Sequence, residues 1–361
     1  MIDPERVATY LSGVFRQPVR ILSMEPFGKG EPSEDLKGFG YGVPLRVRFA
    51  VDGGERLTVL GTMTPNPFGH DHFSDRAQVL LWEHDTFNRL PRHVRSLDVG
   101  AFTKAGGLVS LGETEEFFLL TEFAAGEGYF HDLERLVPGG EARDQDVARA
   151  RALADYLAAI HQVKKNAPSL YVRRIRDLIG HGECLMGIID NYPREFGFIT
   201  QDLLQRVEER MVAWRWRLKP MTHRLSQVHG DFHPWNILFR EGIDFTVLDR
   251  SRGEWGEPAD DLGSLSVNYL FCSLRRYGRL DGPFETLFRT FWETYLKGSG
   301  DEEILRVIPP FLAWRALVVA SPVWYPTIPM EVRRKLFSLI ENILEAEVFD
   351  PARVNGYLEE G

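Results

Sequence analysis

The spacing of apolar residues changes once along this chain, and that change constrains the fold more than any other feature. Roughly the first 125 residues read mostly as strands, since 20–27 (RILSMEPF), 44–51 (PLRVRFAV), 55–63 (ERLTVLGTM) and 115–123 (EEFFLLTEF) are rich in apolar and β-branched residues. Residues 28–42 read as a loop and Asp52-Gly53-Gly54 as a tight hairpin turn. One helix interrupts the series at 74–90, with Ser74 as its N-cap. From about residue 140 the period is helical. In 146–163 the residues Val147, Ala150, Leu153, Ala154, Leu157 and Ile160 share one stripe, and 199–218, 283–298 and 330–349 read alike. So does 303–320, interrupted at Pro309-Pro310. Strands followed by helices predict an α+β chain. Its 361 residues are too many for one small core and suggest two domains: a small antiparallel β-rich one at 1–123 and a larger, mainly helical one at 124–361.

Charge and cysteine content narrow the function. With 43 Lys and Arg against 52 Asp and Glu, the net charge is -9, which argues against a nucleic-acid partner. The two cysteines, Cys184 and Cys272, form no CxxC, so neither a disulfide framework nor a zinc ribbon is expected. No uncharged apolar run approaches the ~20 residues of a membrane span. The start of the chain, with acids early and no long apolar core, does not read as a signal peptide. The expectation is a cytoplasmic protein with no membrane partner; nothing bears on its oligomeric state.

Among the helices lies one strand-like island. The stretch VHGDFHPWNILF (228–239), a turn at 240–244 and FTVLD (245–249) read as a hairpin. Asp231 and Asn236 precede its first strand and Asp249 ends its second, so antiparallel pairing brings Asn236 and Asp249 together. An aspartate five residues before an asparagine, with a second aspartate beyond a hairpin, suits phosphoryl transfer. One carboxylate orients an acceptor hydroxyl, while an amide oxygen and the other carboxylate hold Mg²⁺ on the phosphates. Such hard oxygen donors favour Mg²⁺.

HGDFHPWN fits the HGDxHxxN signature of the aminoglycoside phosphotransferase and choline kinase group, and the chain resembles that family. The resemblance continues through VLDRSRGEWGEPADDL (247–262) and includes the helix LADYLAAIHQ (153–162). It implies a bilobal protein-kinase-like fold and a small-molecule kinase that phosphorylates a hydroxylated acceptor with Mg-ATP or Mg-GTP. It also implies Asp231 as catalytic base and Asn236 and Asp249 as Mg²⁺ ligands. By the same resemblance His229 and His233 brace the loop, and Asp261 ties the metal segment to the helical lobe. The segment 119–128 resembles the family's hinge, whose main chain at Thr121, Glu122 and Phe123 would meet the base of the nucleotide. Residues 173–193 are the expected acceptor-binding insertion. The acidic run at 341–350 suits a cationic acceptor and equally a solvated helix.

The first domain departs from the family. No Lys or Arg lies between Arg56 and Arg76, where a phosphate-clamping lysine is expected, and the following helix offers Gln78 and Glu83 as its partner. Gly28 and Gly30 (GKGEP) or the glycines of GFGYG (38–42) would cover the phosphates, without full GxGxxG spacing. Arg250 and Arg252 follow the metal aspartate and can supply the missing charge; Lys29 and Lys37 are further candidates. Three other readings stand beside the kinase. One is a retired kinase-like protein that binds nucleotide or a partner without turnover, and another is an AMP transferase. The third is a metallohydrolase built from GHDHF (69–73) with His229, Asp231 and His233. His161, at a helix end, reads as a packing histidine, and Trp235 and Trp255 read as core.

Overall fold

The computed structural model describes residues 2–26 and 42–360, which fall into two units, Met1–Thr121 and Glu122–Gly361. In the first unit α1 (Pro4–Phe15) is followed by β1 (Arg20–Pro26), β2 (Leu45–Val51), β3 (Gly54–Leu60), α2 (Phe73–Phe87), β4 (Gly100–Phe102) and β5 (Leu108–Ser110). Strands β1–β2–β3 form one antiparallel sheet, and β4 pairs with β5. Alternation fixes which face of β2 is covered. Val47, Phe49 and Val51 are buried against Val7 and Leu11 of α1, while Arg46 and Arg48 point outward. Asp52 and Gly53 both have positive φ between the paired Val51 and Gly54, the geometry of a two-residue type I′ hairpin.

Two expectations for this unit are corrected. Residues 115–123 form no strand: the segment has no regular structure and no ladder partner among the described residues, and Phe118, Leu119, Leu120 and Phe123 are exposed. β-prone side chains do not make a strand without a ladder partner. Helix α2 is capped by His72, not Ser74, through a reciprocal pairing with Asp75. Gly28, Gly30, Lys29 and Lys37 lie outside the described residues.

The second unit contains β6 (Glu127–Gly128), α3 (Tyr129–Leu136), α4 (Asp144–His161), α5 (Pro168–Gly180), α6 (Leu185–Asp190), β7 (Glu195–Phe196), β8 (Ile199–Thr200) and α7 (Gln201–Leu218). Then follow β9 (Ser226–Gln227), β10 (Ile237–Phe239), β11 (Phe245–Val247), β12 (Trp255–Gly256), α8 (Ala259–Tyr277), α9 (Gly282–Ser299), α10 (Ile304–Val307), α11 (Pro309–Ala320) and α12 (Met330–Glu345). α8 is buried almost throughout and packs on α9, α11 and α12, while α4 packs along α9. On α4 the buried face runs through Ala150, Leu153, Ala154, Leu157, Ala158 and His161; Ile160 of the expected stripe lies at its edge. Pro309 opens α11 as its first residue, where a missing N–H costs nothing. Residues 173–193 belong mostly to α5 and α6 and are less of a turn region than expected. Among the described residues no helix is long and apolar enough to cross a membrane.

Candidate active site

The hairpin and the loop before it carry most of the polar constellation. β10 and β11 pair Ile237 with Val247, and the Leu248 N–H donates to the Asn236 carbonyl at 2.8 Å. Asp249 therefore follows directly at the open end where Asn236 sits. Asp249 is exposed, has a left-handed backbone (φ 54°), and pairs with no cation among the described residues. Its Oδ1 accepts from the Ser251 N–H at 3.2 Å. A non-glycine residue at positive φ is uncommon, and aspartate is among the few that adopt it readily.

Asp261, in the first turn of α8, holds the loop from below. Its two carboxylate oxygens accept from the backbone N–H groups of His229 (2.8 Å) and Gly230 (2.7 Å), and His161 Nε2 lies 3.1 Å away. Tyr295 Oη, 3.0 Å from His161 Nδ1, completes the chain. Burial alone raises the Asp261 carboxyl, yet the hydrogen bond from His161, the two nearby imidazoles and the His229 N–H together hold it below its ordinary value. Gly230 has φ 87°, and a Cβ there would lie 3.2 Å from Arg252 Cβ, so the turn requires glycine.

Both histidines of the motif serve the backbone. His229 Nδ1 accepts from the Asp231 N–H, and His233 Nδ1 accepts from the Trp235 N–H, each at 3.2 Å. The stretch is not a strand, and Pro234–Asn236 is a 3₁₀ turn. Among the described residues no three His, Cys, Asp or Glu side chains are arranged to hold a metal ion, which leaves the metallohydrolase reading without a ligand set. Trp235 is 41% exposed and stacks on Phe130, contrary to the core position expected of it.

Asp231 is mostly buried and engaged. Its Oδ1 accepts from Arg315 Nη1 at 2.6 Å and lies 3.8 Å from Arg252 Nη2, and its Oδ2 is 3.5 Å from His233 Nε2. Burial pushes this carboxyl up, but the His233 hydrogen bond and the Arg315 and Arg252 guanidinium groups outweigh it and hold it well below the usual carboxylate range. The Asn236 amide nitrogen donates to the Asp231 carbonyl at 3.1 Å, and among the described residues its oxygen accepts no hydrogen bond.

Arg315 escaped the sequence reading. It sits on α11, 84 residues from Asp231, and also binds the Gly230 carbonyl (3.1 Å) and Asp260 (2.7 Å). The signal was one charged residue in the otherwise apolar helix PPFLAWRALVVA. Arg250, one of the two phosphate-charge candidates, is tied to the carbonyls of Val228 (2.9 Å) and Glu254 (3.1 Å). Arg252, the other, stands beside Asp231. Thr121 is the last residue of the first unit, and Glu122 and Phe123 open the second; all three lie outside any helix or strand.

A model of the family described as "Phosphotransferase enzyme family" matches residues 87–301. Solved structures similar to this chain include an amicoumacin kinase in complex with AMP-PNP, Ca²⁺ and Ami (15% identity, 92% of this chain and 91% of that one, TM-score 0.42). Others are an ethanolamine kinase of Plasmodium vivax (13%, 93% and 80%, TM-score 0.35) and a choline/ethanolamine kinase family protein from Mesorhizobium loti (14%, 94% and 93%, TM-score 0.38). No curated protein matches the chain.

Proposed function

Since the chain belongs to the phosphotransferase enzyme family and has its α+β, protein-kinase-like fold, we propose that it transfers the γ-phosphoryl group of ATP or GTP to a hydroxyl of a small molecule. Asp231 would orient and deprotonate that hydroxyl, and Asn236 and Asp249 would hold Mg²⁺. The observation that carries the reading is the pinning of these three residues to one another through the backbone. Asn236 donates to the Asp231 carbonyl and receives the Leu248 N–H on its own, immediately before Asp249. The free amide oxygen of Asn236 and the cation-less carboxylate of Asp249 suit a hard divalent ion, which when bound would neutralise charge on the phosphates.

The low proton affinity of Asp231 fits this chemistry. In a loose phosphoryl-transfer transition state the acceptor oxygen needs placing more than early deprotonation. A carboxylate that stays ionised accepts the hydroxyl hydrogen bond, aims the oxygen at phosphorus, and takes the proton as the new P–O bond forms and the bond to the nucleoside diphosphate breaks. The Asp261 brace keeps the loop from yielding during that step. The β-rich unit would receive the nucleotide, with main-chain groups near Thr121, Glu122 and Phe123 at its base.

Asp231→Ala should lower turnover by about 10²–10⁴-fold, with Mg-nucleotide affinity nearly unchanged by calorimetry. Normal turnover in the variant would remove Asp231 from the mechanism. A retired kinase is the second reading, and it draws on the absence of any Lys or Arg between Arg56 and Arg76. Under it, no acceptor in a broad panel would yield an Asp231-dependent phosphorylated product.

A further inference from the structure

Beside Asp231 the second unit buries more hydrogen-bond donors than it answers. Arg315 and Arg252 both approach the same oxygen, Asp231 Oδ1, at 2.6 and 3.8 Å. Arg315 has a second carboxylate in Asp260 at 2.7 Å. Arg252 has no other carboxylate partner among the described residues. Both guanidinium groups lie over the ring of Trp314, at 3.9 Å for Arg315 and 4.9 Å for Arg252. Three buried donors in this cluster bond to nothing among the described residues: Arg252 Nη1, Arg315 Nε and Trp314 Nε1. No orphaned acceptor belongs to the same group of residues.

Buried polar groups in folded proteins nearly always find partners, so such a one-sided deficit needs a cause. An aromatic face attracts a guanidinium but does not satisfy N–H groups at its edge. A planar guanidinium with a donor to spare matches a carboxylate or phosphate oxygen, which supplies the acceptors this cluster lacks. A polycationic acceptor would instead bring further N–H donors to donors that already lack acceptors. Two acids of the run near the end of the chain already face cations, Glu341 3.9 Å from Arg206 and Glu345 2.6 Å from Arg210 on α7.

We propose that the acceptor is an anionic hydroxy compound whose carboxylate or phosphate group is bound by Arg252, with Arg315 and Trp314 beside it, so that its hydroxyl falls to Asp231. The proposal rests on the phosphotransferase reading for the placement of that hydroxyl, but the anion site itself is tested without turnover.

The test is calorimetric titration of the nucleotide-free protein with acetate and with inorganic phosphate, using acetamide as the neutral counterpart. One anion should bind with a dissociation constant of about 1 mM, at least tenfold tighter than acetamide; the stronger of the two distinguishes a carboxylate acceptor from a phosphate ester. Arg252→Met should erase that preference, while Arg252→Lys keeps part of it and Mg-ATP affinity stays within about twofold. Neither anion surpassing acetamide would overturn the proposal, and that comparison needs only the wild-type chain. So would anion binding that survives Arg252→Met, or phosphate binding abolished by Mg-ADP, which would assign it to the nucleotide's own site. An Arg252→Met chain that loses Mg-ATP but keeps the anion would make Arg252 a nucleotide residue and end the idea. Absence of turnover with intact, Arg252-dependent anion binding would count against the kinase reading alone.

Discussion

Two buried arginine clusters in the helical unit are built on opposite plans. Arg224 makes three hydrogen bonds of 2.8–3.0 Å to Glu257 and binds Asp301 and Glu303 besides. Tyr171 Oη donates to Glu257 at 2.8 Å. Here three carboxylates surround one guanidinium, every Arg224 nitrogen is bonded, and the short turn before β9 is tied to the start of α8 and to the α9–α10 connection. Around Arg315 and Arg252 two guanidinium groups share two carboxylates, and donors are left over. Burial is common to Arg224 and Arg315; satisfaction is not. A closed network holds elements together, whereas an open one beside the carboxylate proposed as the base leaves donors for the acceptor proposed above.

The contrast can be broken most directly at its closed end. Arg224→Met leaves Glu257 buried without its cation and should destabilise the chain by about 3–5 kcal/mol in urea unfolding. A loss below about 1 kcal/mol would place this cluster among ion pairs of little consequence. A middle-sized effect concerns pH. The Asp231 carboxyl is held below its unfolded value, so its contribution is present above an unfolded pKa of about 3.9 and disappears as pH falls through the lower folded value. The stability gap between wild type and Asp231→Asn, about 1.5–3 kcal/mol for a charged hydrogen bond, should be constant from pH 7 to 5 and narrow only below about pH 4. A gap already closing at pH 6 would show that Arg315 and His233 do not control this carboxyl. The smallest effect is expected at the open end. Arg252→Met removes a charge that has no carboxylate of its own, so unfolding free energy should change by less than about 1 kcal/mol. A loss as large as that of Arg224→Met would make Arg252 part of the scaffold and erase the distinction.

How much of this was legible differs from residue to residue. His229, Asp231, His233, Asn236, Asp249 and Asp261 lie within 33 consecutive positions; a short hairpin brings Asn236 and Asp249 together by local pairing, and Asp261 reaches the loop from the first turn of α8. The loop and hairpin geometry follow from residues near in sequence, so the motif could be read without the rest of the chain. The segment 115–123 shows the limit of that approach. Its composition is β-prone, but a strand also needs a ladder partner, which no local window contains. The His72 cap was hidden for a different reason: Ser74 is the commoner capping residue, and only the reciprocal bond with Asp75 selects His72.

Chain order alone settles the α+β division, the identity of the loop and hairpin residues, and the glycine at 230, because periodicity, turn chemistry and sterics act over a few residues. The electrostatic state of Asp231 does not follow from that order. It depends on Arg315, carried in by α11 from 84 positions away, and on the burial that α8 and α11 impose by packing against each other. Coulomb and desolvation energies depend on distance and surroundings in space, and only the packed helices supply either.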